Sequence, residues 1–297
     1  NSLGITQKNL VVTCNYPARA FGVKKLMSIP AARTLCPDLV LVCGERLDRF
    51  RDASKRIFAC VRAHLDAECV DAVERPYAIE RSGLDEIFVD MTSLVDGKTN
   101  RSASIQERFA YAEAVCKSIR SSIRRECGFR SCGGVSNSKI AAKIAVNMHK
   151  PDAQTVLLPS NVLCEIAHRP LGSLMGVGRK MCRSIQSAHS DVVTVADCLN
   201  KFRSLDDLTR VLGRQCVARF VFLAVRGVDE TAIANQTTWT PKSLSVEDSM
   251  RSCTSFDVVK SYLDQLSKDL VERMDRDSAE HNGRRASKVV LKTRLRG

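Results

Sequence analysis

The stretch Tyr77-Ala78-Ile79-Glu80-Arg81-Ser82-Gly83-Leu84-Asp85-Glu86-Ile87-Phe88-Val89-Asp90 reads as two short strands hinged near Ser82-Gly83. Its alternating and β-branched residues suit a half-buried pair, and the Ser-Gly step supplies the bend. Two adjacent carboxylates, Asp85 and Glu86, stand where that bend leads into an apolar run. Hard cations such as Mg²⁺ take carboxylate oxygens, and phosphoryl transfer uses paired ions to stabilise the attacking and leaving oxygens. Most Asp-Glu pairs are solvated turn acids, so the pair alone does not discriminate between the two.

Outward from this hinge the pattern is mixed. Upstream, Leu10 to Thr13 is a β-branched run, and Asn15-Tyr16-Pro17 reads as a helix N-cap followed by proline in the first turn. Tyr16 and Arg19, three apart on that helix, share a face on which a phenol and a guanidinium could hold phosphate oxygens; a packed tyrosine beside a surface arginine is the plainer alternative. Leu39 to Val42 reads as a second strand and Glu45 to about Leu65 as a long helix. Downstream, Gln106 to Glu126 and Ser138 to Met148 read as helices. Lys139 and Lys143 are one turn apart and would ordinarily form a solvated face, whereas Lys150, fixed by Pro151 just past the helix, is better placed to reach an anion. Gly176-Val177-Gly178, between helical patterns, resembles a helix-hairpin-helix turn whose backbone N–H groups can take a DNA phosphate. A polar stretch at Gln236 to Pro241 reads as a linker, followed by strand (Lys242 to Val246), helix (Ser255 to Met274) and strand (Ala286 to Leu295).

Composition narrows the partners. The 297 residues suffice for about two ordinary domains, and 44% hydrophobic residues suffice for buried cores. Lys and Arg outnumber Asp and Glu by 46 to 33, a net charge of +13 that favours a polyanion, nucleic acid first. No run of 18 apolar residues exists; the longest candidate, Val217 to Val225, is interrupted by Arg219, so no membrane span is expected. The 13 cysteines include no Cys-x-x-Cys pair, and most are expected to be buried reduced thiols. The opening Asn1-Ser2-Leu3-Gly4 has no initiating Met and reads as an internal start. In the final segment the even positions Lys288, Lys292, Arg294 and Arg296 are basic while Val289, Leu291 and Leu295 are apolar, as a half-buried strand would have them, its basic face either solvated or laid on DNA.

Taken in order, these strings resemble the Y family of translesion DNA polymerases. The run Val11-Val12-Thr13-Cys14-Asn15-Tyr16-Pro17-Ala18-Arg19 with Gly22-Val23-Lys24-Lys25-Leu26-Met27 is similar to the family's fingers, and Leu84 to Asp90 to its palm. Asn137-Ser138-Lys139 through Lys150-Pro151, Gly176-Val177-Gly178 and Leu244-Ser245-Val246-Glu247-Asp248-Ser249 continue the likeness over nearly the whole chain. The iota branch is nearest, with eta and kappa behind.

The resemblance implies an α+β, right-hand polymerase: fingers at 1–45, palm at 46–160, a helix-hairpin-helix thumb at 161–236 and a little finger at 237–297, truncated at both ends. On it, Asp85 and Glu86 would be catalytic and hold two Mg²⁺ ions (with Mn²⁺ as a substitute), Tyr16, Arg19 and Lys150 would bind the triphosphate, and Gln7 and Leu10 would contact the templating base. Gly176, Gly178, Lys288, Lys292, Arg294 and Arg296 would bind the DNA backbone. Primer–template DNA and deoxynucleoside triphosphates would be the partners, in the nucleus, with sliding-clamp and ubiquitin-linked recruitment through regions outside the chain. Two departures stand out: the family's first Asp-bearing motif is expected upstream of Asn1, so that the fragment alone would be inactive, and the usual Ser-Asn-Lys order is swapped at Asn137-Ser138-Lys139. The rival readings are a non-catalytic DNA-binding paralogue and an eta-like or kappa-like branch of the family.

Overall fold

The computed structural model describes residues 1–69, 76–100, 102–235, 241–248 and 255–293. The chain divides into two compact units, Asn1–Gln236 and Thr237–Gly297. Helices and strands are mixed in the first, so the α+β class holds.

Three hydrophobic cores follow one another along the first unit. The first lies under a four-stranded sheet of order β3-β2-β1-β4. β1 (Leu3–Gln7) runs antiparallel to β2 (Leu10–Cys14) and parallel to β4 (Val40–Cys43), while β3 (Met27–Ser28) flanks β2. Helix α1 (Tyr16–Ala20) begins where the cap chemistry puts it: Asn15 Oδ1 accepts from the Ala18 N–H at 3.1 Å and also from the Leu3 N–H at 3.0 Å. Ala18 and, from α2 (Ile29–Leu35), Ala32 then pack on Val11, Val23 and Leu39.

The second core joins α3 (Asp48–Glu68), the hairpin of β5 (Ala78–Arg81) and β6 (Ile87–Asp90), α4 (Thr92–Lys98) and α5 (Ile105–Ser122). Phe58, Val61, Leu65, Ile79, Leu94, Val115 and Ile119 fill it. Ser104 and Glu107 form a capping box at the start of α5, and a π-helical turn, Ile123–Cys127, ends it before Gly128.

In the third core α6 (Lys139–Met148) lies on the parallel pair β7 (Gly133–Val135) and β8 (Gln154–Val156). Close approach decides Gly134: a Cβ there would sit 2.3 Å from the Ala142 carbonyl oxygen and 2.5 Å from the Val146 nitrogen. Behind α6 come α7 (Pro159–Ala167), α8 (Arg179–Ala188), α9 (Val195–Lys201), α10 (Leu205–Leu212) and α11 (Gln215–Ala224). Ile140, Ile144, Ile166, Ile185, Leu208 and Val221 share one cluster. Ser138 caps α6 through the Ala141 N–H and donates to the Gly227 carbonyl at 3.2 Å.

In the second unit α12 (Phe256–Glu280) forms as a helix of 25 residues. The two strands expected around it do not: Lys242–Val246 and 286–293 carry no ladder, and 294–297 lie outside the described residues, as do 236–240 of the expected linker. Alternation makes a strand only when a partner supplies the ladder, and two short strands without a packed face are marginal in water. Val289 and Leu291, expected to face a core, are 76% and 68% exposed. Two other expectations meet the structure here. The twelve described cysteines form no disulfide with one another, and only Cys14, Cys36, Cys60 and Cys198 are buried, so the expectation that most are buried is corrected. Among the described residues no helix is long and apolar enough to cross a membrane.

Candidate active site

The β5–β6 hairpin places the acids through its register. Arg81 pairs with Ile87, and the Ser82 N–H donates to the Glu86 carbonyl at 2.9 Å, so the tight turn 82–86 carries both Asp85 and Glu86. Asp85 is exposed and Glu86 half-buried. Ile79 packs into the second core, which turns Glu80 and its cross-strand partner Phe88 towards α6.

Helix α6 answers with two lysines, one turn apart. Lys139 Nζ donates to Glu80 Oε2 at 2.8 Å and to the Ala232 carbonyl at 3.1 Å, and lies 5.8 Å from the Phe88 ring centroid. The Ala234 N–H donates to the same Glu80 oxygen at 2.7 Å. Burial alone would push the Glu80 carboxyl up, but the Lys139 ammonium and the Ala234 N–H outweigh it and hold the group below the ordinary glutamate value. Lys143 forms an ion pair with Glu86. The solvated face expected of these lysines is therefore wrong: the Lys139 side chain is 8% exposed, its charge met by Glu80 of the hairpin.

Beneath the turn, Arg81 lies 5.6 Å from the Phe58 ring centroid, donates to Ser54 Oγ at 2.6 Å, and is pushed below the ordinary arginine value by burial. Ser54 Oγ in turn donates to the Leu84 carbonyl.

The other expected site residues fall into separate groups. On α1 the Arg19 guanidinium lies 5.1 Å from the Tyr16 ring centroid, as their spacing implies, with its Nε donating to the Cys14 carbonyl at 3.1 Å. Gln7 and Leu10 close the β1–β2 hairpin; Gln7 Nε2 donates to the Gly44 carbonyl at 3.1 Å, and Leu10 is exposed. Lys150 is exposed after α6, and the segment beyond it is fixed by Asp152, which pairs with Arg120 at 3.1 Å and Arg124 at 3.2 Å. Gly176 has φ +86° with the Phe220 ring where a Cβ would go, and Gly178 caps α8. Sequence reasoning stopped at these two glycines and missed the basic side chains that open α8. Arg179, Lys180 and Arg183, with Ser184, Ser187 and Val211, line an open cavity of about 820 Å³. An Arg-Lys-x-x-Arg run at the start of a helix was the signal. Lys288 and Lys292 are exposed, and Arg294 and Arg296 lie outside the described residues.

Among the described residues no group of three or more His, Cys, Asp or Glu side chains converges as a metal cage. Asp85 and Glu86 offer two carboxylates, the kind and number of protein donors by which Mg²⁺ is ordinarily held, with the rest of its shell left to water or a ligand.

A sequence profile of the impB/mucB/samB family matches residues 1–147, the part that carries Tyr16, Arg19, Asp85, Glu86 and the α6 lysines. Over those residues the chain is similar to this family, the Y family. Family relatives extend the match beyond residue 147. DNA polymerase iota of Drosophila melanogaster is 31% identical, over 93% of this chain and 38% of the relative. DNA polymerase iota of Homo sapiens is 30% identical with the same coverage. DNA polymerase IV of Neisseria meningitidis serogroup C is 28% identical, over 96% of this chain and 71% of the relative. The chain thus spans just over a third of the length of its iota relatives.

Proposed function

We propose that the chain is the catalytic core of a translesion DNA-directed DNA polymerase, with fingers at 1–45, palm at 46–160, thumb at 161–236 and little finger at 237–297. The observation that carries this reading is the Asp85-Glu86 turn, with Lys143 of α6 paired to Glu86 and Lys139 to the neighbouring Glu80, in a chain similar to this family over residues 1–147. The primer 3′-OH attacks the α-phosphorus in line and pyrophosphate leaves. Asp85 and Glu86 would hold Mg²⁺, which polarises the phosphoryl oxygens and stabilises the attacking and leaving ones. Tyr16 and Arg19 present a phenol and a guanidinium to the triphosphate, and Lys150 adds a point charge. Gln7 and Leu10, on one hairpin end, meet the templating base. The DNA backbone is taken by the Gly176–Gly178 turn together with Arg179, Lys180 and Arg183 of α8, and by Lys288 and Lys292. A nuclear location is inferred from likeness to the iota enzymes, and the bacterial relatives do not extend it.

In the full-length protein, Asp85→Ala and Glu86→Ala are each expected to lower primer extension by about a thousandfold, roughly 4 kcal/mol of barrier. Affinity for primer–template DNA should stay close to wild type, because backbone contacts are made elsewhere. Retention of extension by Asp85→Ala within about tenfold of wild type, a difference of only about 1.4 kcal/mol, would overturn the assignment.

A further inference from the structure

We propose that Ser54 and Arg81 are positioning residues for the acidic turn, fixing the main chain at Leu84, one residue before Asp85. The inference rests on the reading that Asp85 and Glu86 hold the metal. Ser54, on α3, is 5% exposed, and Arg81, the last residue of β5, is 6% exposed. A buried guanidinium is a costly way to fill a core, and an apolar side chain of similar size would serve packing as well.

What Arg81 does instead is set the direction of a hydrogen-bond chain. A hydroxyl has one proton, and Ser54 Oγ already accepts from Arg81 at 2.6 Å, so its proton goes to the Leu84 carbonyl. A charged donor at the head of such a chain strengthens the next bond along it. The turn needs this support because its own packing is thin: Ser82, Leu84 and Asp85 are exposed, and a Cβ on Gly83 would meet no heavy atom within 4 Å. The hairpin bond from Ser82 to Glu86 closes the turn on itself, whereas the Ser54 bond ties it to α3.

The test uses the full-length protein bound to a primer–template whose primer ends in a 3′-deoxynucleotide, with the incoming triphosphate present. Mn²⁺ binding is read from the electron paramagnetic resonance of the free ion, alongside single-turnover incorporation on an ordinary primer, DNA affinity and thermal melting. Ser54→Ala and Arg81→Met should each weaken Mn²⁺ binding and slow incorporation by about 10- to 100-fold, with DNA affinity unchanged. Ser54→Thr, which restores the hydroxyl, should recover both. If Ser54→Ala fails to fold, Ser54→Cys, a weak donor of similar shape, is expected to show the same deficits. A lowered melting temperature with Mn²⁺ binding and incorporation intact would overturn the proposal and leave Ser54 a purely structural residue. Asp85→Ala serves as reference: if it leaves Mn²⁺ binding and incorporation intact, the metal assignment itself has failed. If Asp85→Ala abolishes both while Ser54→Ala and Ser54→Cys change neither, the positioning role alone has failed.

Discussion

Replacing Gly134 by alanine tests whether the close seating of α6 on β7 holds the site together. The added Cβ would lie 2.3 Å from the Ala142 carbonyl oxygen, and ordinary contact begins at 3.4 Å, so α6 must retreat by about 1 Å. Both neighbours are backbone atoms, which cannot swing aside as a side chain tip can. Forcing an extra methyl into such a contact costs about 2 kcal/mol, which for a unit of this size lowers the melting midpoint by about 4 to 8 °C. The same displacement carries Lys139 and Lys143 away from Glu80 and Glu86. A misplacement of that size near reacting groups slows chemistry by about 100-fold, so single-turnover incorporation should fall with nucleotide affinity less affected. Gly97→Ala is the control: it sits in α4 with open space where a Cβ would go and should raise stability by about 0.5–1 kcal/mol. Thermal melting and single-turnover kinetics of the full-length variants decide the matter. A Gly134→Ala protein that melts and turns over like wild type would refute the reasoning, because α6 would then have slack that the contact distances deny.

Two further outcomes are expected. Arg179→Ala with Arg183→Ala should weaken binding to primer–template DNA of any sequence and reduce the slope of log K against log salt by about 0.9 for each phosphate left unneutralised; salt titrations check this, and an unchanged slope would mean that this face of α8 meets solvent alone. Glu80 is held below its ordinary value in the folded chain, so the stability it contributes is present above about pH 4.5 and is lost as pH falls through its lower folded value. Glu80→Gln should therefore flatten the acid limb of the stability–pH profile below pH 4.5, measured by urea unfolding between about pH 3 and 7.

How far the sequence could be read depended on the range of the forces involved. Asn15 and Pro17 located α1, and Ser138 located α6, because caps are settled within four residues. The hinge at Ser82-Gly83 was equally visible, as polar and apolar residues alternate on either side of it. β1 gave no such signal: Leu3–Gln7 holds a glycine and two polar residues and becomes a strand through β2 and β4 on its two sides. The runs at 242–246 and 286–293 err the other way, with good alternation and no ladder. At the site, the acids and Tyr16 with Arg19 were legible as motifs, whereas the lysine pairs join residues 57 and 59 apart. Ser54 meets Leu84 across 30 residues, and nothing in the local composition around Ser54 singles it out.

The three consecutive cores bear on which substitutions the chain tolerates. Each core fills its own volume, so an exchange such as Ile for Val at position 119 or 166 is met by neighbours of the same cluster and stops there. The seam between the second and third cores has no such reserve. There Lys139 pairs with Glu80 and Lys143 with Glu86, while Gln154 of β8 donates to the Glu113 carbonyl of α5, so polar contacts rather than apolar packing carry part of the join. A conservative exchange inside one core is thus a local event, whereas loss of a charge at the seam is felt by both cores at once.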